Sequence, residues 1–175
     1  MYKTLIFFLC VGLGVSYAQS YSGTTTKTVN FREAPNAVSA KLASLPQGTP
    51  LFVFSEEPQN QYYHVLHLAT LQEGYVYATF VELGEVLSKN KEGLFTRVGR
   101  TMSSETVIRT FNSTDKTLIL RLDKEEYTFA PQEKRVLKLT PGTYAFQLLV
   151  PNVLPEFGTQ TIENGYEYLW NYSEE

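Results

Sequence analysis

Val29-Asn30-Phe31-Arg32-Glu33-Ala34-Pro35 and Gly74-Tyr75-Val76-Tyr77-Ala78-Thr79-Phe80-Val81 bracket the stretch whose reading decides the fold. Between them lie Leu45-Pro46-Gln47-Gly48-Thr49, an apolar run at 51–54, and Tyr62-Tyr63-His64-Val65. Each run is short, rich in β-branched and aromatic residues, and cut off by Pro, Gly, Asn or Gln. That spacing is the pattern of a small, strongly bent β-barrel. Strands are expected at 28–32, 41–45, 51–54, 62–68 and 75–80. Pro35 ends the first because its ring cannot donate to a sheet ladder, and Pro46-Gln47-Gly48 marks a tight turn. Gln72-Glu73-Gly74 reads as the connection between the last two strands, and residues 19–27, rich in Ser, Thr and Gly, as a polar leader.

Beyond residue 84, glycines and charged residues interrupt the apolar pattern, as in a linker, with one bridging strand at 94–98. Seven further runs follow, at 106–111, 117–122, 127–130, 135–139, 143–150, 157–162 and 166–172. Turn residues separate them, which favours a compact antiparallel sandwich. In the last run Tyr166, Tyr168, Trp170 and Tyr172 recur at period two and therefore share one side. Exposed, that stripe is a platform for glycans; buried, it is one face of a sandwich core.

The N-terminus has the order of a secretory signal: Lys3, an apolar run at 5–15, then Ser16-Tyr17-Ala18 with small residues at the two positions a signal peptidase reads. The run is shorter than the roughly 20 residues needed to span a bilayer. The only cysteine, Cys10, lies inside it, so the exported chain has no thiol, no disulfide and no thiol nucleophile. Loss of Lys3 leaves fourteen basic and eighteen acidic residues, a net charge of about −4. With no basic cluster, nucleic acid is a poor fit as a partner, and no later apolar stretch is long enough for a membrane span.

The order of phrases in the first half resembles the bacterial SH3-like (SH3b) domain family over about 55 residues. Arg32 stands where the family has the arginine after its first strand, and Pro35 where it has its loop proline. Leu45, Gly48 and Val53 match the next strand pair. Tyr62 and Tyr75 occupy positions the family usually gives to tryptophan, keeping the ring and adding a hydroxyl. The resemblance implies a binding module for cell-wall peptides or glycans, or a spacer beside another domain. Leu139-Thr140-Pro141-Gly142-Thr143-Tyr144 loosely resembles small immunoglobulin-like accessory domains.

Aromatic rings stack on sugar faces and peptide bonds, and tyrosine adds a polar handle. Tyr62, Tyr63, Tyr75, Tyr77 and Phe80 are accordingly the ligand-binding candidates, set against the alternative that alternating members fill the core. Tyr62 and Tyr77 are the two expected at the surface. Catalysis finds little footing. His64 and His67, three apart on a strand, face opposite sides and cannot jointly hold a metal. Ser88-Lys89-Asn90-Lys91 and Ser113-Thr114-Asp115-Lys116 match S-x-x-K without its companion motifs.

The expectation is thus an exported, all-β protein with no enzymatic role, cofactor or metal, secreted or periplasmic. Its parts are a signal peptide (1–18), an SH3-like barrel (24–84), a linker (85–104) and an immunoglobulin-like sandwich (105–175). It would bind cell-wall peptide or glycan, or alternatively act as an adaptor between envelope proteins.

Overall fold

The computed structural model describes residues 19–87, 91–101 and 106–173. The signal-peptide reading at 1–18 lies outside the described residues, as do 88–90 and 102–105 of the expected linker. The fold is all-β: among the described residues the regular elements are strands, apart from one 3-10 turn at Ala78–Phe80. Among the described residues no helix is long and apolar enough to cross a membrane.

Seven strands form the first sheet: β1 (Ser20–Thr25), β2 (Val29–Arg32), β3 (Lys41–Leu45), β4 (Pro50–Val53), β5 (Tyr62–His67), β6 (Gln72–Tyr77) and β7 (Val81–Leu87). They run in the order β3-β2-β6-β5-β4-β1-β7. Leu45 from one end of that order and Val81 from the other fall in the same buried cluster as Phe31, Leu51, Val53, Val65 and Val76. The sheet is therefore curled, with both ends flanking one core.

Two local expectations are corrected. The polar leader contains β1, an interior strand between β4 and β7. Its buried face is Tyr21, Gly23 and Thr25; with one large side chain among three, the hydrophobic alternation is almost silent. Small size is what the site needs, since a Cβ on Gly23 would lie 2.7 Å from Cγ2 of Val53. Likewise Gln72-Glu73-Gly74 opens β6 and is not a connection. The turn comes earlier, where the N–H groups of Thr70 and Leu71 donate to the carbonyl of His67.

Gly74 is present because Phe31 lies against it. A Cβ there would sit 2.5 Å from the Phe31 ring and 2.7 Å from the Arg32 carbonyl oxygen. β2 and β6 meet through the single pair Arg32↔Tyr75, so this crossing has little slack. Gly74→Val should destabilise the fold by about 1–3 kcal/mol through overpacking. Denaturant unfolding would show it; an unchanged midpoint would mean that the crossing can open freely.

The remaining strands are β8 (Lys91–Glu92), β9 (Thr96–Arg100), β10 (Thr106–Asn112), β11 (Leu118–Leu122), β12 (Glu125–Phe129), β13 (Lys134–Leu139), β14 (Gly142–Leu149), β15 (Glu156–Ile162) and β16 (Tyr166–Tyr172). They build two sheets, β13-β10-β16-β9 and β12-β11-β14-β15-β8. Ile108, Leu137 and Trp170 of the first pack with Leu120, Phe129, Phe146 and Ile162 of the second in one buried cluster, as in a β-sandwich. The aromatic stripe is part of this core. Tyr168 and Trp170 are buried, while Tyr166 and Tyr172 pack half-buried against it.

The stretch expected as a linker carries the end of β7 together with β8 and β9. It is held in place partly by Gln160, whose buried Oε1 accepts from the N–H groups of Leu94 at 2.6 Å and Phe95 at 2.7 Å. The pairing is also not wholly antiparallel, since β10·β16 and β15·β8 are parallel. Parallel neighbours need a crossover, and here the chain crosses between the two sheets before β16 returns beside β10.

A third apolar cluster joins the two halves. Phe52, Leu66 and Leu68 from the outer face of the first sheet and the turn after it bury against Leu149 of the sandwich. Phe157 meets Phe52 edge-on at 6.0 Å, and the Asn152 N–H donates to the Leu68 carbonyl.

Candidate binding face

Residues directly opposite each other in an antiparallel pair point to the same side of the sheet. The β5–β6 register sets Tyr62 opposite Tyr77, His64 opposite Tyr75, and Leu66 opposite Glu73. These six form the outer face, while Tyr63, Val65 and Val76 point into the core. Along that face aromatic groups succeed one another. Phe54 stacks on His64 with centroids 4.2 Å apart, and His64 on Tyr75 at 5.0 Å. In the next row Tyr62 meets Tyr77 edge-on at 5.2 Å, and Tyr77 meets Phe80 at 5.4 Å.

A cavity of about 280 Å³ opens at this end of the face, lined by Val29, Asn30, Arg32, Tyr62, Tyr77 and Phe80. Arg32 is steadied by donating from Nη1 to the Ser39 carbonyl at 2.8 Å, which also ties down the loop after Pro35. The Tyr77 hydroxyl donates to Oε1 of Gln61. Nζ of Lys27 lies 3.5 Å from the Phe80 ring centroid, a cation held over a π face.

The structure thus brings together three of the five candidates, Tyr62, Tyr77 and Phe80. Tyr63 is not with them, because it packs on the core of the curled sheet. Tyr75 is one row away in the His64 stack. Tyr62, expected at the surface, is buried at 9 % exposure: the Tyr77 ring covers it, so its face supports the groove more than it lines it. Arg32, Asn30 and Lys27 were not among the sequence candidates. Their signal is visible only once β2 and the 3-10 turn are placed side by side.

His64 and His67 do point to opposite sides. His67 faces inward, with its ring 6.2 Å from Phe31 and its Nδ1 2.9 Å from the Thr70 hydroxyl, and burial pushes its pKa down. His64 faces out, its Nε2 3.3 Å from Glu73, which also accepts from Nη1 of Arg121 at 2.6 Å across the junction of the two halves. Arg121 in turn donates from Nε to Glu126 at 2.9 Å. The bond from His64, then the bond and charge of Arg121, outweigh burial and hold the Glu73 carboxyl down to about 2, from an ordinary 4.5.

A carboxyl lowered on folding stabilises the fold while it is ionised. The contribution is complete above about 4.5 and drains away as pH falls through about 2. Glu73 is a third exposed, and solvent screening limits the term to about 1 kcal/mol. Glu73→Gln should therefore lower the melting temperature near neutral pH and flatten its fall on acidification. Wild-type and variant melting curves that stay parallel from pH 5 to pH 2 would contradict this.

A larger cavity, about 760 Å³, lies at one end of the sandwich between Asp123, Glu125, Lys138 and Tyr144. Its carboxylates are already engaged: Asp123 accepts from the Ala145 N–H at 2.8 Å, and Glu125 from the Tyr127 hydroxyl. Burial, then that bond, pushes Tyr127 up to about 12. Among the described residues no group of three or more His, Cys, Asp or Glu side chains is placed to hold a metal ion. No protein-family model, no curated protein and no solved structure matches the chain.

Proposed function

We propose that this chain is an exported, non-catalytic binding protein of the bacterial cell envelope. Its curled first sheet is the SH3b-like module that takes wall peptide or glycan. The observation that carries the reading is the convergence of Arg32 with Tyr77 and Phe80 over Tyr62 at one small groove. Aromatic edges suit sugar faces and peptide planes, and a guanidinium offers paired donors to a carboxylate of the kind that wall peptides carry. The adjoining stack of Phe54, His64 and Tyr75 extends the same aromatic surface beyond the groove.

Retention of the chain on purified peptidoglycan tests it. Tyr77→Ala should reduce retention about tenfold, the worth of one aromatic contact of about 1.4 kcal/mol, and leave the melting temperature nearly unchanged. Absence of retention by the intact chain defeats the reading. The adaptor alternative draws on a separate observation, the charged sheet edges that have no strand neighbour among the described residues.

A further inference from the structure

Among the strands that end a sheet in the described residues, β7 and β12 carry only acidic charge and β9 and β13 only basic charge. In β12 the acidic residues Glu125 and Glu126 are adjacent, so they face apart. β7 ends the seven-stranded sheet, and β9 ends the four-stranded one. On β7 Glu82 and Glu85 are exposed, with Val86 beside them 50 % exposed. All five residues of β9 are exposed, and Arg97 and Arg100 flank Val98, itself 54 % exposed.

Residues three apart on a regular strand face opposite ways. Each of these strands carries a bulge that cancels this. In β7, Gly84 and Glu85 fall between the pairs Leu83↔Gly23 and Val86↔Tyr21, opposite Ser22 alone; Oγ of Ser22 accepts from the Glu85 N–H at 2.9 Å. In β9, Val98 is the additional residue between Gly99↔Glu167 and Arg97↔Tyr168. The arginines accordingly share a face and lie over one ring, that of Tyr166, at 4.4 and 5.6 Å. Arg97 also meets Glu163 at 3.0 Å in an exposed pair.

Charge on an edge strand opposes pairing with a copy of itself. β7 against β7 sets carboxylates together, and β9 against β9 sets guanidinium groups together. β7 against β9 instead combines opposite charges at equal spacing, with an exposed valine on each strand. β13 is another basic edge, but its register has no bulge, so Arg135 and Lys138 face opposite ways. Lys134 and Lys138, which share a face, are four apart and do not match the glutamates. The acidic excess of the chain also lies in the β7 half, where residues 19–87 hold three basic and six acidic side chains.

From this we infer that copies of the chain associate head to tail by strand addition, β7 of one pairing with β9 of the next. Glu82 and Glu85 then stand opposite Arg100 and Arg97. The contact joins unlike surfaces, so it propagates along a row of copies and does not close as a two-fold dimer. A few backbone bonds and exposed ion pairs make it weak and sensitive to salt. Nothing in it depends on what the aromatic groove binds.

Sedimentation velocity of residues 19–175 tests it. At low ionic strength the wild type should sediment faster as concentration rises, and about 0.5 M salt should weaken that association at least tenfold. Arg97→Glu/Arg100→Glu and Glu82→Lys/Glu85→Lys should each be monomeric, while their equimolar mixture associates again. Lys134→Glu/Lys138→Glu should behave as wild type. The inference is overturned by a wild type that stays monomeric to millimolar concentration, by charge-reversed variants that associate undiminished, or by folded variants whose mixture stays monomeric. Should a variant fail to fold, the concentration and salt dependence of the wild type decides.

Discussion

Trp170→Ala should cost about 3–5 kcal/mol, the usual range for emptying a large aromatic site in a core. The ring is 4 % exposed and central to its neighbours. Phe129 stands edge-on to it at 5.2 Å, Phe95 at 6.3 Å, and Tyr172 lies tilted at 6.4 Å. These three come from different parts of the chain, so no single element can move in to fill the space. With no cysteine beyond Cys10, no disulfide limits the loss. Because Trp170 is the only tryptophan, unfolding is best followed by far-UV circular dichroism. Trp170→Phe should recover most of the loss. A Trp170→Ala variant that melts within a degree or two of wild type would show that the sandwich core is held elsewhere.

Leu149→Asp should split one cooperative unfolding transition into two. Leu149 is fully buried, and it belongs to the sandwich by chain but to the junction by packing. A carboxylate among Phe52, Leu66 and Leu68 finds no charge partner there, and burying it is far more costly than letting the two halves part. The Glu73–Arg121 pair, a third exposed, is too weak to hold them together by itself. Calorimetry should therefore resolve two melting steps, the curled sheet and the sandwich, where the wild type shows one. A single transition merely shifted to lower temperature would mean that the halves are coupled by more than this cluster.

Much of the strand order is legible in the sequence, because period-two alternation survives wherever large apolar residues mark the buried side. Leu118, Leu120 and Leu122 of β11 and Tyr168 and Trp170 of β16 are plain examples. The failures share a physical cause. β1 buries Tyr21, Gly23 and Thr25, where close approach of Val53 demands small residues, and such a face looks like a polar leader. Gly74 looks like a turn residue but is a glycine for the sake of the Phe31 ring. β9 lies in a stretch whose exposed charges resemble a linker, because edge strands keep their charge. Within the groove Tyr77 and Phe80 are legible as aromatic positions. Arg32 enters only through the β2–β6 crossing, a contact between residues more than forty positions apart.

The placement of β16 also bears on how the chain is made. This last strand lies between β10 and β9, and β9 has no other strand neighbour among the described residues. Until residues 166–172 have been synthesised, β9 has nothing to pair with, the Trp170 site is empty, and the four-stranded sheet stops at β10. Contacts so distant in sequence also form slowly. A nascent chain of this design completes its four-stranded sheet only after residues 166–172 have emerged.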